Sequence, residues 1–336
     1  MDELPYDFLD QLCSISSSKQ LHAFSALSSQ KWIALANSHL HKRRHFDVRI
    51  TIDDRNGNSS VNELRQVPGG RRSSLKPIHC ANIDRLKSMD QRHVRFRKVE
   101  ISFSSCGQAR TSTDFGNVIY YVTALLDSNS CLAVRSSGDT QNVPEQLLTC
   151  LKGEKFHKFV GLELCNEGGE LCQIILEDQV ASSSDLKEIA LTGRDDCWNG
   201  VRMKECIKKY VHRNGSKTLR VGNDFVLEPM SRYLDAWLRD PRFELTLYIG
   251  YVVEQIISLS GFLHYFGQEE DGSEWYGRVH PTNKDSCALA NMGYEEDMKW
   301  FWICFTANRN TLPNVKKSIL NKECKNKGQC SACKSE

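Results

Sequence analysis

Near the start of the chain, apolar residues recur at helical spacing in three short blocks. Phe8, Leu9 and Leu12 share one face of a first helix. Pro5 suits its first position, where a missing N–H costs nothing, and Asp2, Glu3 and Asp7 lie where the positive end of the helix dipole favours acids. Leu21, Phe24 and Leu27 mark a second helix, with Ser16 to Ser18 available as its cap. Trp32, Leu35 and Ala36 mark a third, capped by Ser28 or Ser29. The period then changes. Phe46, Val48, Ile50 and Ile52 alternate with polar residues and predict a half-buried strand, followed by an Asn56-Gly57 turn. Residues 53–92 carry little periodicity and contain Pro68-Gly-Gly70 and Arg71-Arg-Ser-Ser74, so they read as a flexible surface segment.

From about residue 94 the pattern is regular again. Six apolar-x-apolar pairs begin at Val99, Leu132, Leu162, Ile189, Leu219 and Leu245, spaced 33, 30, 27, 30 and 26 residues apart. Each pair puts two side chains on one face of a strand, and a period near thirty marks stacked repeats. Helical faces lie between them: Phe115, Val118, Ile119, Val122, Leu125 and Leu126; then Met203, Ile207, Tyr210 and Val211; then Met230, Tyr233, Leu234, Trp237 and Leu238, stopped at Asp240-Pro241. Strand–helix alternation predicts parallel pairing through crossovers. Beyond Gly250 the stretch from Phe262 to Pro281 is aromatic and glycine-rich, and Met298 to Phe305 reads as a strand. Together they predict an antiparallel β element closing the last repeat. The expected class is therefore α/β. A helical unit (1–45) precedes a strand and basic segment (46–93), an irregular β/α solenoid (94–250), a β cap (251–310) and a mobile Lys- and Cys-rich tail (311–336).

Some forty residues are too few to bury this much apolar surface alone, so the opening helices should pack on something else. Their spacing resembles the F-box: Leu4, Pro5, Leu9, Leu12, Leu27, Ser28, Trp32 and Leu35 match its pattern. The resemblance implies docking on the Skp-type adaptor of a cullin–RING ubiquitin ligase, with the rest of the chain recruiting a protein substrate. Leu4, Pro5, Phe8, Leu9 and Leu12 are the docking residues it implies, with Trp32 locking the unit and offering its edge. Leu162-x-Leu164-x-Asn166 and Leu219-x-Val221-x-Asn223 resemble leucine-rich repeats with the Asn one place early. Together with Leu234 to Leu238, the combination is similar to the divergent F-box families of nematodes.

Charge adds a second candidate. The net charge is +2, yet His41 to Lys98 holds fifteen Lys/Arg against six Asp/Glu. Arg71, Arg72, Arg95 and Arg97 are expected as a basic surface for an acidic protein or, as the alternative function, nucleic acid. Fourteen cysteines without a secretory leader pattern point to reduced thiols in cytoplasm or nucleus, and no apolar run is long enough for a membrane span. Cys324, Cys330 and Cys333 have thiolate spacing but fall one ligand short of a structural zinc site, so no metal and no cofactor is expected. The phosphate-loop, His-Glu-x-x-His, Gly-x-Ser-x-Gly and dinucleotide motifs are absent, and no residue set asks for an enzyme.

Overall fold

A computed structural model describes residues 4–53, 59–67, 86–104, 115–136, 148–149, 151–154, 156–222, 230–250, 263–295, 298–312 and 319–320. Seven helices and twelve strands lie among the described residues, a mixed α/β composition. They belong to two compact units, 1–186 and 187–336, whose division falls inside the region of the thirty-residue period.

The first unit opens with α1 (Tyr6–Ile15), α2 (Ser18–Ser25) and α3 (Gln30–Lys42). Pro5 occupies the position before α1, and Ser17 caps α2 in a reciprocal box with Gln20, at 3.2 and 2.8 Å. Ser29 precedes α3 but makes no capping bond. The strands follow: β1 (Arg44–Asp53), β2 (Ser59–Val67), β3 (Val94–Ser104), β4 (Leu126–Ser136) and β5 (Gly161–Asn166). β2 runs antiparallel to β1, while β1, β3, β4 and β5 pair in parallel. Helices α4 (Phe115–Ala124) and α5 (Leu171–Ser182) pack on this sheet. Leu125 and Leu126, expected on the α4 face, instead turn the chain and start β4.

Parallel register stacks the apolar positions in rows. Val48, Val99, Leu132 and Leu162 form one row, and Ile50, Ile101, Val134 and Leu164 the next, all buried. Alternation sends the intervening residues to the other face, where Glu100 meets Arg49 and Arg135, each at 3.2 Å, and Lys98 meets Glu163. At the end of β5, Asn166 is fully buried. Its Oδ1 accepts from the Gly168 N–H at 3.0 Å and lies 3.0 Å from Ser136 Oγ, closing the sharp Gly168-Gly169 turn. Asn223, the corresponding residue of the later repeat, is outside the described residues.

In the second unit, β6 (Glu188–Gly193), β7 (Lys217–Val221) and β8 (Leu245–Ile249) are again parallel, alternating with α6 (Val201–Val211) and α7 (Met230–Arg239). Leu219 pairs with Leu247 rather than Leu245, so the last strand sits two residues out of the pattern read from the spacing. β8 then pairs antiparallel with β12 (Met298–Thr306), and β11 (Cys287–Glu295), β10 (Glu274–Val279) and β9 (His264–Gln268) continue as a meander. Phe266, Cys287, Leu289 and Trp302 make a core on one face of the meander, with Trp275 and Trp300 against it. Leu312 and Ile319 are buried in the same core, so the chain beyond residue 311 contributes to the fold and is not wholly a loose tail. Trp237 of α7 is also fully buried and donates its indole N–H to Ser286 Oγ at 2.9 Å. No helix among the described residues is long and apolar enough to cross a membrane.

Candidate protein-docking surface

The three opening helices have a core of their own. Leu9 and Cys13 of α1, Leu21 of α2, and Trp32, Leu35 and Ala36 of α3 are buried together, with Leu12, Phe24 and Leu40 packed against them. The Phe24 and Trp32 rings lie 4.7 Å apart. Leu9 is 0% and Trp32 3% exposed, so neither offers a surface to a partner. This corrects the expectation for Leu9 and for the edge of Trp32, while the place of Trp32 in the shared core fits its expected role of locking the unit. Only the outward face is free to dock.

Part of the apolar surface of α1 stays outside this core. A helix turns by about 100° per residue, which lines up Phe8, Gln11 and Ile15 beside the buried row rather than within it. Phe8 is 51% exposed and Ile15 78%, and Leu4, Pro5, Tyr6 and, after α2, Leu27 are exposed as well. Of the expected docking residues, Leu4, Pro5 and Phe8 are therefore accessible and Leu12 is half-buried. Tyr6 and Ile15 were not singled out from the sequence, although Ile15 stands seven residues after Phe8, the spacing that returns a helix to the same face.

Polar bonds fix how α1 presents this stripe. The Arg43 guanidinium, buried, donates from Nη1 to the Ser16 carbonyl at 2.8 Å and from Nη2 to those of Cys13 and Ser14 at 3.1 and 3.3 Å, filling the open carbonyl end of α1. Asp10, one turn earlier in α1, accepts from His39 Nε2 at 2.8 Å and from Arg92 at 2.6 Å. Burial works against the Asp10 charge, but the His39 and Arg92 bonds outweigh it and hold the carboxyl below its usual range. Arg92 belongs to the short turn Gln91–His93 that leads into β3, so Asp10 ties α1 to the base of the sheet. The His39 and His93 rings lie 4.8 Å apart at this joint, and burial, then the His39 charge, depresses the His93 pKa.

The basic residues divide differently from the expectation. Arg71 and Arg72 lie outside the described residues. Arg95 and Arg97 were expected on one strand face, but a bulge between the Phe46–Phe96 and Asp47–Lys98 pairs reverses the alternation. Arg97 is exposed. Arg95 is only 7% exposed and donates to the carbonyls of Gln91 and Val94, so it is removed from the basic surface. Lys42, Arg43, Arg44, Arg92 and His93 instead line an open groove of about 730 Å³. Cys324, Cys330 and Cys333 are outside the described residues. Burial raises the pKa of Cys13 and pushes that of Cys287 up to about 12.

Compared with family models, curated proteins and solved structures, the chain matches none.

Proposed function

We propose that this chain is a non-enzymatic substrate-recruiting adaptor of a cullin–RING ligase of the SCF type. In this reading α1–α3 are a divergent F-box that docks on a Skp-type subunit, and the β/α region is an irregular leucine-rich-repeat-like solenoid that holds a protein substrate. One observation carries the reading: the helices already possess a closed core, yet α1 still holds Phe8 and Ile15 in solvent. Isolated exposed apolar residues are ordinary, but a helical stripe flanked by Leu4, Tyr6 and Leu27 is the kind of patch that a partner covers. Each such side chain contributes roughly 1.5–3 kcal/mol when fully buried, and five of them exceed the cost of association by enough for micromolar binding. The rigid seating of α1 by Arg43 and Asp10 lowers the ordering cost of that contact.

The test is capture of a Skp-type subunit by the intact chain. Phe8→Asp and Ile15→Asp should each weaken capture at least tenfold while leaving circular dichroism unchanged. Capture that survives both substitutions together would remove the reading. The nucleic-acid alternative has a narrower basis, because Arg97 is the only exposed member of its four named residues among the described ones.

A further inference from the structure

Around Arg43 the chain buries more positive charge than it neutralises. Arg43 is 8% and Arg95 7% exposed. Burial lowers the pKa of both guanidiniums, that of Arg95 to about 10, and Arg43 adds to the effect on Arg95. The carboxylate whose charge favours both is Asp127, and it already holds His45 at 3.0 Å. The Nε of Arg43 is buried without a hydrogen-bond partner, as is the Nδ1 of His93. Both residues line the groove already described, as do the exposed Lys42 and Arg44. No carboxylate among the described residues pairs with Lys42 or Arg44. The groove's acid, Asp90, is held by Arg92 at 2.7–3.2 Å and kept ionised with its pKa near about 2.

Lys42 at the end of α3 is in part explained by the helix dipole, whose carbonyl end carries roughly half a negative charge. That accounts for one cation. Arg92 is held by Asp10 and Asp90, and the carbonyl end of α1 takes up part of the Arg43 charge, which leaves Arg44 on the next strand and the buried Arg95 beside Arg43. We propose that this groove binds a phosphate monoester dianion, held by the Arg44 fork and the Lys42 ammonium over the buried positive charge of Arg43. Forked guanidinium donors and a point ammonium are the pairing that such an anion takes best. The groove is much larger than a phosphate group, which suits an ester carried on a larger molecule. The site is independent of the docking stripe, since it uses none of Leu4, Tyr6, Phe8 or Ile15.

The experiment follows the thermal midpoint of the intact chain at fixed ionic strength, with inorganic phosphate titrated against chloride. A saturable rise of a few degrees with phosphate is expected. It should vanish in Arg44→Glu and shrink in Lys42→Glu, both exposed positions where the fold is checked by circular dichroism. A phosphoserine peptide and its unphosphorylated twin distinguish the source. Phosphopeptide binding tenfold or more above inorganic phosphate identifies a carried ester, and equal binding identifies the free ion. No rise, an equal rise in Arg44→Glu, or a preference for a single-stranded oligonucleotide over both monoesters would overturn the proposal. Capture of the Skp-type subunit by Arg44→Glu should be unchanged, so failure here leaves the docking reading standing.

Discussion

The helices α1–α3 and the meander β9–β12 are both rich in large apolar side chains, and they treat them in opposite ways. In the meander, Trp302 and Phe266 are buried, and Leu312 and Ile319 from further along the chain complete the cover. In the helices the inner row is closed just as well, but Phe8 and Ile15 receive no cover from the chain's described residues. The chain thus spends extra sequence to shield one apolar face and leaves another bare. The difference separates an apolar face that the fold closes from one that it leaves in solvent, the face proposed above for docking.

The largest expected effect tests whether the helical core is as closed as the meander. Trp32→Ala removes the ring that joins α2 to α3 and should cost about 3–5 kcal/mol, read as a loss of cooperative thermal unfolding in α1–α3 by hydrogen exchange. Retained protection across α1 would contradict a closed core. Next comes the meander. A Cβ at Gly293 would sit 2.5 Å from the Trp300 ring, so Gly293→Val must push that ring off its strand at a cost of about 1–3 kcal/mol. An unshifted midpoint would show that Trp300 does not need its place.

Acid should separate the two regions further. The His93 pKa is depressed below 6.5, so its contribution is present above that pH and is lost as pH falls through 6.5 toward the folded value. Asp10, also lowered, holds its contribution until pH drops below 3.8. In the meander core the Cys287 thiol is neutral over this whole range. Amide protection in α1, relative to the intrinsic exchange rate at each pH, should therefore fall between pH 7 and pH 5 while that in β11 stays level, and parallel behaviour would mean that the joint bears no load. The smallest effect is on the bare stripe. Phe8→Asp should change stability by less than about 0.5 kcal/mol, and a larger loss would mean that Phe8 belongs to the core after all.

Much of the parallel strand order was legible because it rests on side-chain alternation. All six apolar pairs fall on strands, and both rows they imply are in register from Val99 and Ile101 through Leu162 and Leu164. The slip at Leu247 was not legible, since the turn preceding β8 sets it and apolar spacing alone does not. The bulge that parts Arg97 from Arg95 was hidden for the same reason: a single extra backbone residue reverses every side chain after it without changing composition. At the candidate surface, periodicity put Phe8, Leu9 and Leu12 on one face, whereas Leu9 turns into the core and Phe8 out to solvent. Which apolar row faces inward depends on where α2 and α3 cross it, and that is a property of packing in three dimensions.

The burial of Ile319 also has a consequence for timing. Thr306 ends β12, the last strand of the meander, yet the core beneath Trp302 waits for a residue thirteen positions later. During synthesis the four strands can pair as they emerge, but their tryptophans stay wet until that later piece arrives. This leaves an interval in which a half-finished sheet shows its stickiest face.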